Sequence, residues 1–476
     1  MFLSKRHRSK PRQFSRQPEI DRSLRHSVKD GVAYSVMTGA GEAYFSAFAV
    51  LLKASPGQIG LLAALPQLVA SFAQLLSAWL GHRRQQRMPI VLIGARIQCI
   101  SWLPMIVLPI LFPEYAVELL LAAIMLYYFG ANLTIPQWSS LMGDLVHKRR
   151  RGRYFGYRTR LASITSFIAM LGAGLLLHLF DESGYAIAGF VSIFAVAMVS
   201  RMVSIHHLKQ MYDPPGQTAV LEIPNWRLWK HQFINSPFAI FSIFFAMMQF
   251  ATAIASPFFS VYLLRDLELS YFQFTLNMAA IVMAQFLTLN WWGRIADTFG
   301  NRFVLILCGS IIPFFPALWM TSTNVWYLMA LQAMGGLAWA GFTLSANNFI
   351  YDALPACKRV TLMAVHNTLA NIGIFAGALL GGYLATQMDK VVTIGDFSYE
   401  FFSVFFILFI VSSLARITVA LLFLPRLKEV RHYKPMPVRE LFYRVGRFTA
   451  FSGLFFEVIG SRKKVMAAAP PEDKSG

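Results

Sequence analysis

Residues 290–307 read NWWGRIADTFGNRFVLIL, which sets Arg294, Asp297 and Arg302 within nine positions between two segments that are otherwise almost wholly apolar. An oily chain that breaks off for a short, glycine-framed charged turn and then resumes is leaving a membrane and re-entering it. Of the 476 residues 56% are hydrophobic and 14% charged, where a soluble domain carries about 25% charged residues. A hydrocarbon layer ~30 Å thick is crossed by about 20 apolar residues of helix. Twelve such segments are present, near 31–52, 57–80, 89–112, 116–142, 157–180, 185–205, 237–263, 271–292, 303–322, 325–351, 360–386 and 401–424. They are too long and too continuously apolar for barrel strands, which alternate with period two over about ten residues. The expected fold is an all-α membrane protein embedded in a lipid bilayer.

The net charge of +20 would suit a nucleic-acid surface if it lay on one face of a soluble domain. Instead, Lys and Arg crowd residues 1–30, the turns at 81–88, 147–160, 201–236, 293–302 and 353–359, and the stretch after 424. Only Lys53, Arg265 and Lys390 fall in the opposite loops, while Arg96 and Arg416 lie inside segments. This is the positive-inside distribution, so both termini are expected in the cytoplasm and no nucleic acid is expected as a partner. Cys99, Cys308 and Cys357 are scattered, which gives no disulfide framework and no metal site; no cofactor is expected either. The sequon Asn132-Leu133-Thr134 lies inside a segment. With the short opposite loops, that points to a bacterial inner membrane.

The longest polar interruption, 206–236, contains MYDPPGQTAVLEIPNW and separates two sets of six segments. The expected organisation is a basic arm 1–30, a bundle 31–205, a linker 206–236, a bundle 237–424 and a tail 425–476. Within the tail, VRELFYRVGRFTAFSGLFF interleaves Arg439, Arg444 and Arg447 with apolar residues, the pattern of a helix lying on a membrane surface. Asp144 and Arg151 recur as Asp352 and Arg359, 208 residues on, and Arg87 and Arg201 recur as Arg302 and Arg416, 215 residues on. Three matches at nearly constant offset indicate a duplicated six-helix unit. Gly373, Gly377 and Gly381 repeat every four residues, with Ala169 and Ala173 as first-half counterparts of the last two. Such spacing lets helices approach closely, either as ordinary packing or between halves that move.

The charged turn itself reads Gly293, Arg294, then Asp297, Gly300, Asn301 and Arg302. It resembles the G-x-x-x-D-x-x-G-R-[RK] loop of the major facilitator superfamily, with Asn301 in place of the first closing basic residue. The resemblance extends to the six-plus-six layout. It implies two pseudo-symmetric six-helix bundles and a monomeric secondary transporter that carries a small-molecule substrate by alternating access. Glycines allow the turn to fold tightly, and an aspartate at a membrane edge can accept from an arginine or a free helix N-terminus. In the first half Ala78, His82 and Gln85 take the places of Gly293, Asp297 and Gly300, so no carboxylate latch is expected there. Asp144 with Arg151 or Arg153, and Asp352 with Arg359, are the other expected cytoplasmic gate pairs; solvated loop charges are the competing reading.

Glu42 falls near the middle of the first segment, on a stripe with Ser35, Thr38, Gly39, Ser46 and Ala49 at helical steps. An intramembrane carboxylate is costly and faces an interior, where it can carry a proton or another coupling ion. In proton-coupled relatives an acidic residue of the first helix has that role; the alternative is a structural ion pair with Arg96. Expected cavity residues are Asn132, Gln137 and Trp138 on segment four, Gln249 on segment seven, Asn347 and Asn348 on segment ten, and His366 and Asn367 on segment eleven. Hydrogen bonding between helices is the competing use of each. No nucleotide-binding loop is present, and His26 with Asp30 makes only a weak acyltransferase-like spacing, so an enzyme is not expected. The competing function is a non-transporting protein of the same fold, such as a sensor or an assembly factor.

Overall fold

A computed structural model of the chain describes residues 14–427 apart from 16, 85, 148–149, 215–235, 354–358, 389–390 and 395–396. Most of the linker and the whole of the expected tail helix lie outside the described residues. Pass one comprises Pro18–Ala40 and Phe45–Leu51, pass two Pro56–Arg84, and pass three Met88–Ile100 with Trp102–Leu111. Passes four, five and six are Ala116–Leu145, Arg151–Glu182 and Ala186–Lys209. Pass seven comprises Pro237–Ala253 and Phe258–Val261, pass eight Tyr271–Phe299, and pass nine Asn301–Ile311 with Phe315–Leu318. Passes ten, eleven and twelve are Val325–Ala353, Arg359–Gln387 and Phe405–Phe423. All but the first contain a helix long and apolar enough to cross a membrane. Pass one is more polar and is interrupted at Gly41. It also starts within the stretch expected as a cytoplasmic arm, because Pro18 suits a first helical position and Asp21 accepts the backbone N–H groups of Phe14 and Ser15.

Local chemistry repeats with the helices. Passes two and eight each open on a capping box, Ser55 with Gln58 and Ser270 with Gln273, in which each side chain accepts from the other residue's backbone N–H. The residues two positions before those serines, Lys53 and Glu268, are the two non-glycine residues with positive φ among the described residues. Both matches have the offset that relates Arg87 to Arg302. Tertiary pairing repeats too. Passes one and five, one and six, two and four, and three and four pack together, as do seven and eleven, seven and twelve, eight and ten, and nine and ten. A hairpin of β1 (Val391–Ile394) and β2 (Phe397–Glu400), antiparallel with Val391 opposite Glu400, links passes eleven and twelve and was not foreseen.

We call the side carrying the basic loops the basic face and the other the far face. The halves meet along passes two and eleven and along passes five and eight, and residues 45–51 of pass one touch residues 258–266 of pass seven at the far face. Without a hydrophobic effect between helices in lipid, such seams rely on close backbone approach. A Cβ at Gly60 would sit 2.8 Å from the Ala378 carbonyl oxygen and 2.9 Å from the Gly382 Cα, and one at Gly174 would strike Thr275. Gly373, Gly377 and Gly381 serve packing within the second half, where added Cβ atoms would strike carbonyls of Ala246, Phe250 and Ile254 on pass seven. Gly60→Val is therefore expected to force the halves apart at the far face. Spin labels at positions 52 and 267 would report a longer distance than in the parent protein; an unchanged distance would count against the seam.

Candidate functional site

Pass one breaks where Glu42 begins. The helix ends at Ala40, and residues Glu42–Tyr44 form a single tighter turn before helix resumes at Phe45. Gly41 is required by space, since a Cβ there would crowd Trp102 and lie 2.8 Å from the Ala197 Cβ. The Glu42 carboxylate accepts from the Tyr127 hydroxyl at 2.7 Å and the Tyr128 hydroxyl at 3.0 Å, both on pass four. Two residues on, the Tyr44 hydroxyl donates to the Met170 carbonyl of pass five at 2.6 Å and lies 2.9 Å from Thr275 Oγ1 of pass eight. Pass seven is interrupted similarly, in a turn over residues 254–257, but carries no acid there. Gln249, the expected counterpart of Glu42, is half-buried one turn earlier.

The expected partner of Glu42, Arg96, points elsewhere. It is exposed on pass three and makes no ion pair among the described residues. Two tyrosines of pass four, Tyr127 and Tyr128, take the place expected for the arginine. The stripe containing Glu42 also divides around the helix: Ser35 lines a 260 Å³ pocket with Ser163 and Ser166 of pass five, whereas Glu42 faces pass four.

A larger cleft of 680 Å³ lies between passes five, eight and ten. Ser163, Gln285, Trp339, Thr343 and Asn347 are among its lining residues. Of the expected cavity residues it contains only Asn347. Asn132 accepts from Gln74 Nε2 at 2.8 Å and donates to the Tyr128 carbonyl, and Gln137 donates to the Ser77 carbonyl at 2.7 Å. These amides tie pass four to pass two or to itself. Trp138 lies beneath the Arg158 guanidinium, 4.4 Å from the ring centroid. Asn348 reaches Asn301 at 3.4 Å, His366 is buried 3.1 Å from Ser242 Oγ and stacks on Phe241, and Asn367 is exposed.

At the basic face the first half does have a carboxylate latch, built from different partners than expected. Arg87, only 2% exposed, donates to Asp144 at 2.6 Å and to Asp213 at 3.3 Å, and also to Ser140 Oγ and the Pro214 carbonyl. Asp213 in turn accepts the backbone N–H groups of Arg87 and Met88 at the start of pass three, where the helix dipole favours an anion. Arg151 instead donates to the carbonyls of Gly143 and Val146. The Asp144–Arg151 pairing expected from spacing is thereby replaced. Asp213 sits in the MYDPPG turn, whose turn-forming composition marks it only as part of a linker.

The sequence profile of the Major Facilitator Superfamily matches residues 31–260 and again 241–461. The chain belongs to that superfamily. Over 94 residues it is 33% identical to the multidrug resistance protein MdtG of Dickeya zeae, covering 20% of this chain and 23% of that protein. Over 96 residues it is 27% identical to the vacuolar membrane amino acid uptake transporter fnx2 of Schizosaccharomyces pombe, covering 20% and 17%. The matched stretches thus span under a quarter of these relatives. Among solved structures, a bacterial homologue of the iron transporter ferroportin in an inward-facing state aligns with a TM-score of 0.67 at 14% identity, covering 85% of this chain and 98% of that one. The nucleoside transporter NupG aligns with a TM-score of 0.63 at 15% identity, covering 87% and 100%. At such identities the likeness is one of fold.

As a superfamily member the chain is an integral, multi-pass membrane protein, and its signature turn connects passes eight and nine. Gly300 there adopts φ +90°, a conformation that L side chains rarely take, and Asn301 is buried. Arg294 and Asp297 are exposed on the last turns of pass eight; neither side chain has a hydrogen bond or ion pair among the described residues, though the Arg294 carbonyl accepts from the Thr298 hydroxyl. Gly293 has only Leu344 near its missing Cβ. Arg302 is half-buried, while the side chains of Asp352, Arg359 and His82 lie outside the described residues. Arg201 and Arg416, expected to snorkel or pair, are both buried: Arg201 donates to Ser204 Oγ, which donates to Asp30, and Arg416 approaches the Thr252 carbonyl at 3.5 Å. Arg87→Ala should lower stability by about 3 kcal/mol, because it removes a buried cation that pairs with the mostly buried Asp213 and also holds Asp144, whereas Arg151→Ala on an exposed side chain should cost less than about 1 kcal/mol. Detergent thermal melts of the two variants check the order; equal melting temperatures would refute the latch.

Proposed function

We propose that the chain is a secondary active transporter, moving a small solute by alternating access and coupled to protons through Glu42. The observation that carries this reading is the turn Glu42–Tyr44, because one turn of backbone holds both an intramembrane acid and a contact across the seam between halves. When Glu42 is ionised, the two tyrosine hydroxyls donate to a charged acceptor, a stronger bond than to a neutral one. Protonation removes that charge and weakens the hold of pass four on the turn. Tyr44 rides on the same turn, so a shift there is felt at Met170 and Thr275, where passes five and eight meet. A ligand or proton moves an equilibrium only by preferring one state, and this turn supplies such a preference.

The cleft between passes five, eight and ten is the substrate site in this reading. The halves touch at the far face and leave the cleft nearer the basic face, the arrangement of an inward-open state with the basic loops and termini in the cytoplasm. The latch of Arg87, Asp144 and Asp213 holds the cytoplasmic ends of passes three, four and six together in the first half. By the repeat, Arg302 and Asp352 stand where Arg87 and Asp144 meet, and the turn 293–302 serves the second half. A bacterial inner membrane and action as a monomer complete the proposal.

A thermal-shift screen in detergent is the route to a ligand, since anything that binds the folded state alone raises the melting temperature. With that ligand in proteoliposomes, Glu42→Gln should abolish transport driven by a pH gradient while leaving ligand exchange across a membrane without a gradient. Undiminished driven transport by that variant would remove Glu42 from the coupling. No flux from either protein would favour the sensor. Tyr44→Phe deletes one seam hydrogen bond of about 1 kcal/mol, so the ratio of closed to open far face should fall about fivefold. The populations resolved with the spin labels at positions 52 and 267 measure it.

A further inference from the structure

The 680 Å³ cleft between passes five, eight and ten has a lining of unusual uniformity. On pass ten, Trp339, Thr343 and Asn347 follow at four-residue steps and so share one face. On pass eight Val282, Gln285, Phe286 and Leu289 are related by three- and four-residue steps and also share a face. Gln285, Thr343, Asn347 and Ser163 have no hydrogen-bond partner among the described residues. By contrast, the amides of Asn132 and Gln137 on pass four are tied to neighbouring backbone or side chains. Polar side chains at membrane depth pair with one another or face a cavity. Here four of them, from three helices, turn an unspent amide or hydroxyl toward one space.

Among the described residues none that lines the cleft is ionisable, and the same holds for the adjoining 260 Å³ pocket, which shares Ser163, Phe167 and Val282 with it. The nearest charged positions on the three helices are Arg160, one turn before Ser163 and Ile164 on pass five, and Arg294 and Asp352, five residues beyond Leu289 and Asn347, so ~4.5 to ~7.5 Å along the axis and toward the membrane rim. A charge placed in the cleft would lose its hydration with no opposite charge among the lining residues to replace it, which costs several kcal/mol. A neutral molecule with an aromatic body meets Trp339 and Phe286, and its own amide or hydroxyl groups meet Gln285, Thr343 and Asn347.

We propose that this cleft selects uncharged aromatic molecules bearing amide-like hydrogen-bonding groups, with Gln285 and Asn347 as the residues that set the selection against ions. The proposal rests on reading the cleft as the substrate site, though not on proton coupling at Glu42. The volume is in the range of sites for drug-sized ligands, about 300–1,000 Å³.

Three probes share one fluorophore and differ in charge: dansyl amide is neutral, dansylcholine cationic and dansylate anionic. Equilibrium binding to the full chain in nanodiscs of neutral lipid, without any pH gradient, reads the cleft whether or not the protein couples to protons. Empty nanodiscs give the background from lipid partition. Dansyl amide should bind, with dansylcholine and dansylate at least about tenfold weaker. The double variant Gln285→Ala with Asn347→Ala should weaken dansyl amide about tenfold, the effect of two lost hydrogen bonds. Asn347→Asp should reverse the preference toward dansylcholine, a gain that misfolding cannot mimic. Absence of dansyl amide binding above the empty discs, equal or tighter binding of either ion by the parent protein, or an unchanged preference in the Asn347→Asp variant would each overturn the proposal. Loss of coupling in Glu42→Gln with neutral selectivity intact would leave it standing.

Discussion

A helix interrupted inside hydrocarbon must find new partners for the backbone and side-chain groups it frees, because no water is there to take them. Pass one accepts that demand at Gly41–Tyr44, and much of the first half is arranged around it. Trp102 fills the space that the missing Cβ of Gly41 leaves, while Phe45, Tyr127 and Phe194 pack around the indole. Those same aromatics bring the Tyr127 hydroxyl to Glu42. The break is therefore both a packing solution and the reason an acid can sit at this depth.

The two halves repeat their helix pairing and their capping boxes but not their electrostatics. Pass seven is broken at a related place, yet among the described residues no acid lies beside the break: Ser412 donates to the Ala251 carbonyl, and Arg416 approaches that of Thr252. In the first half the buried Arg201 is linked through Ser204 to Asp30, and Arg158 also donates to Asp30 at 3.3 Å. The second half has no acidic residue at mid-depth to match. Its polar capacity lies instead along Gln285, Thr343 and Asn347, facing the cleft. The intramembrane acid and most of the cleft's polar side chains thus lie on opposite halves, joined by the seam that Tyr44 and Thr275 share.

The seam also sets how the parts move together. Gly60 against Ala378 and Gly382, and Gly174 against Thr275, bring helices of different halves into contact that a single added methyl group would disturb. Asn371 Nδ2 donates to Ser71 Oγ at 3.0 Å along the same seam, further toward the basic face. In the proposed mechanism, halves in contact over small residues tilt as bodies, and a local change at Glu42 reaches the cleft without deforming either bundle.

Some of this was legible in the residue order alone. Twelve apolar segments, the sidedness of Lys and Arg, the offset that relates the halves and the rarity of a mid-membrane carboxylate all follow from local composition and periodicity, which one dimension contains. The partners were not legible. Arg87 lies 57 positions from Asp144 and 126 from Asp213, and Glu42 lies 85 from Tyr127, so no spacing rule connects them. Whether Asn132 faces a cavity or Gln74 depends on the rotation of pass four about its axis, and that rotation is set by the helices packed around it. Residue order decides which groups must be satisfied in the membrane; only the packed bundle decides which of them satisfy one another and which are left for a ligand.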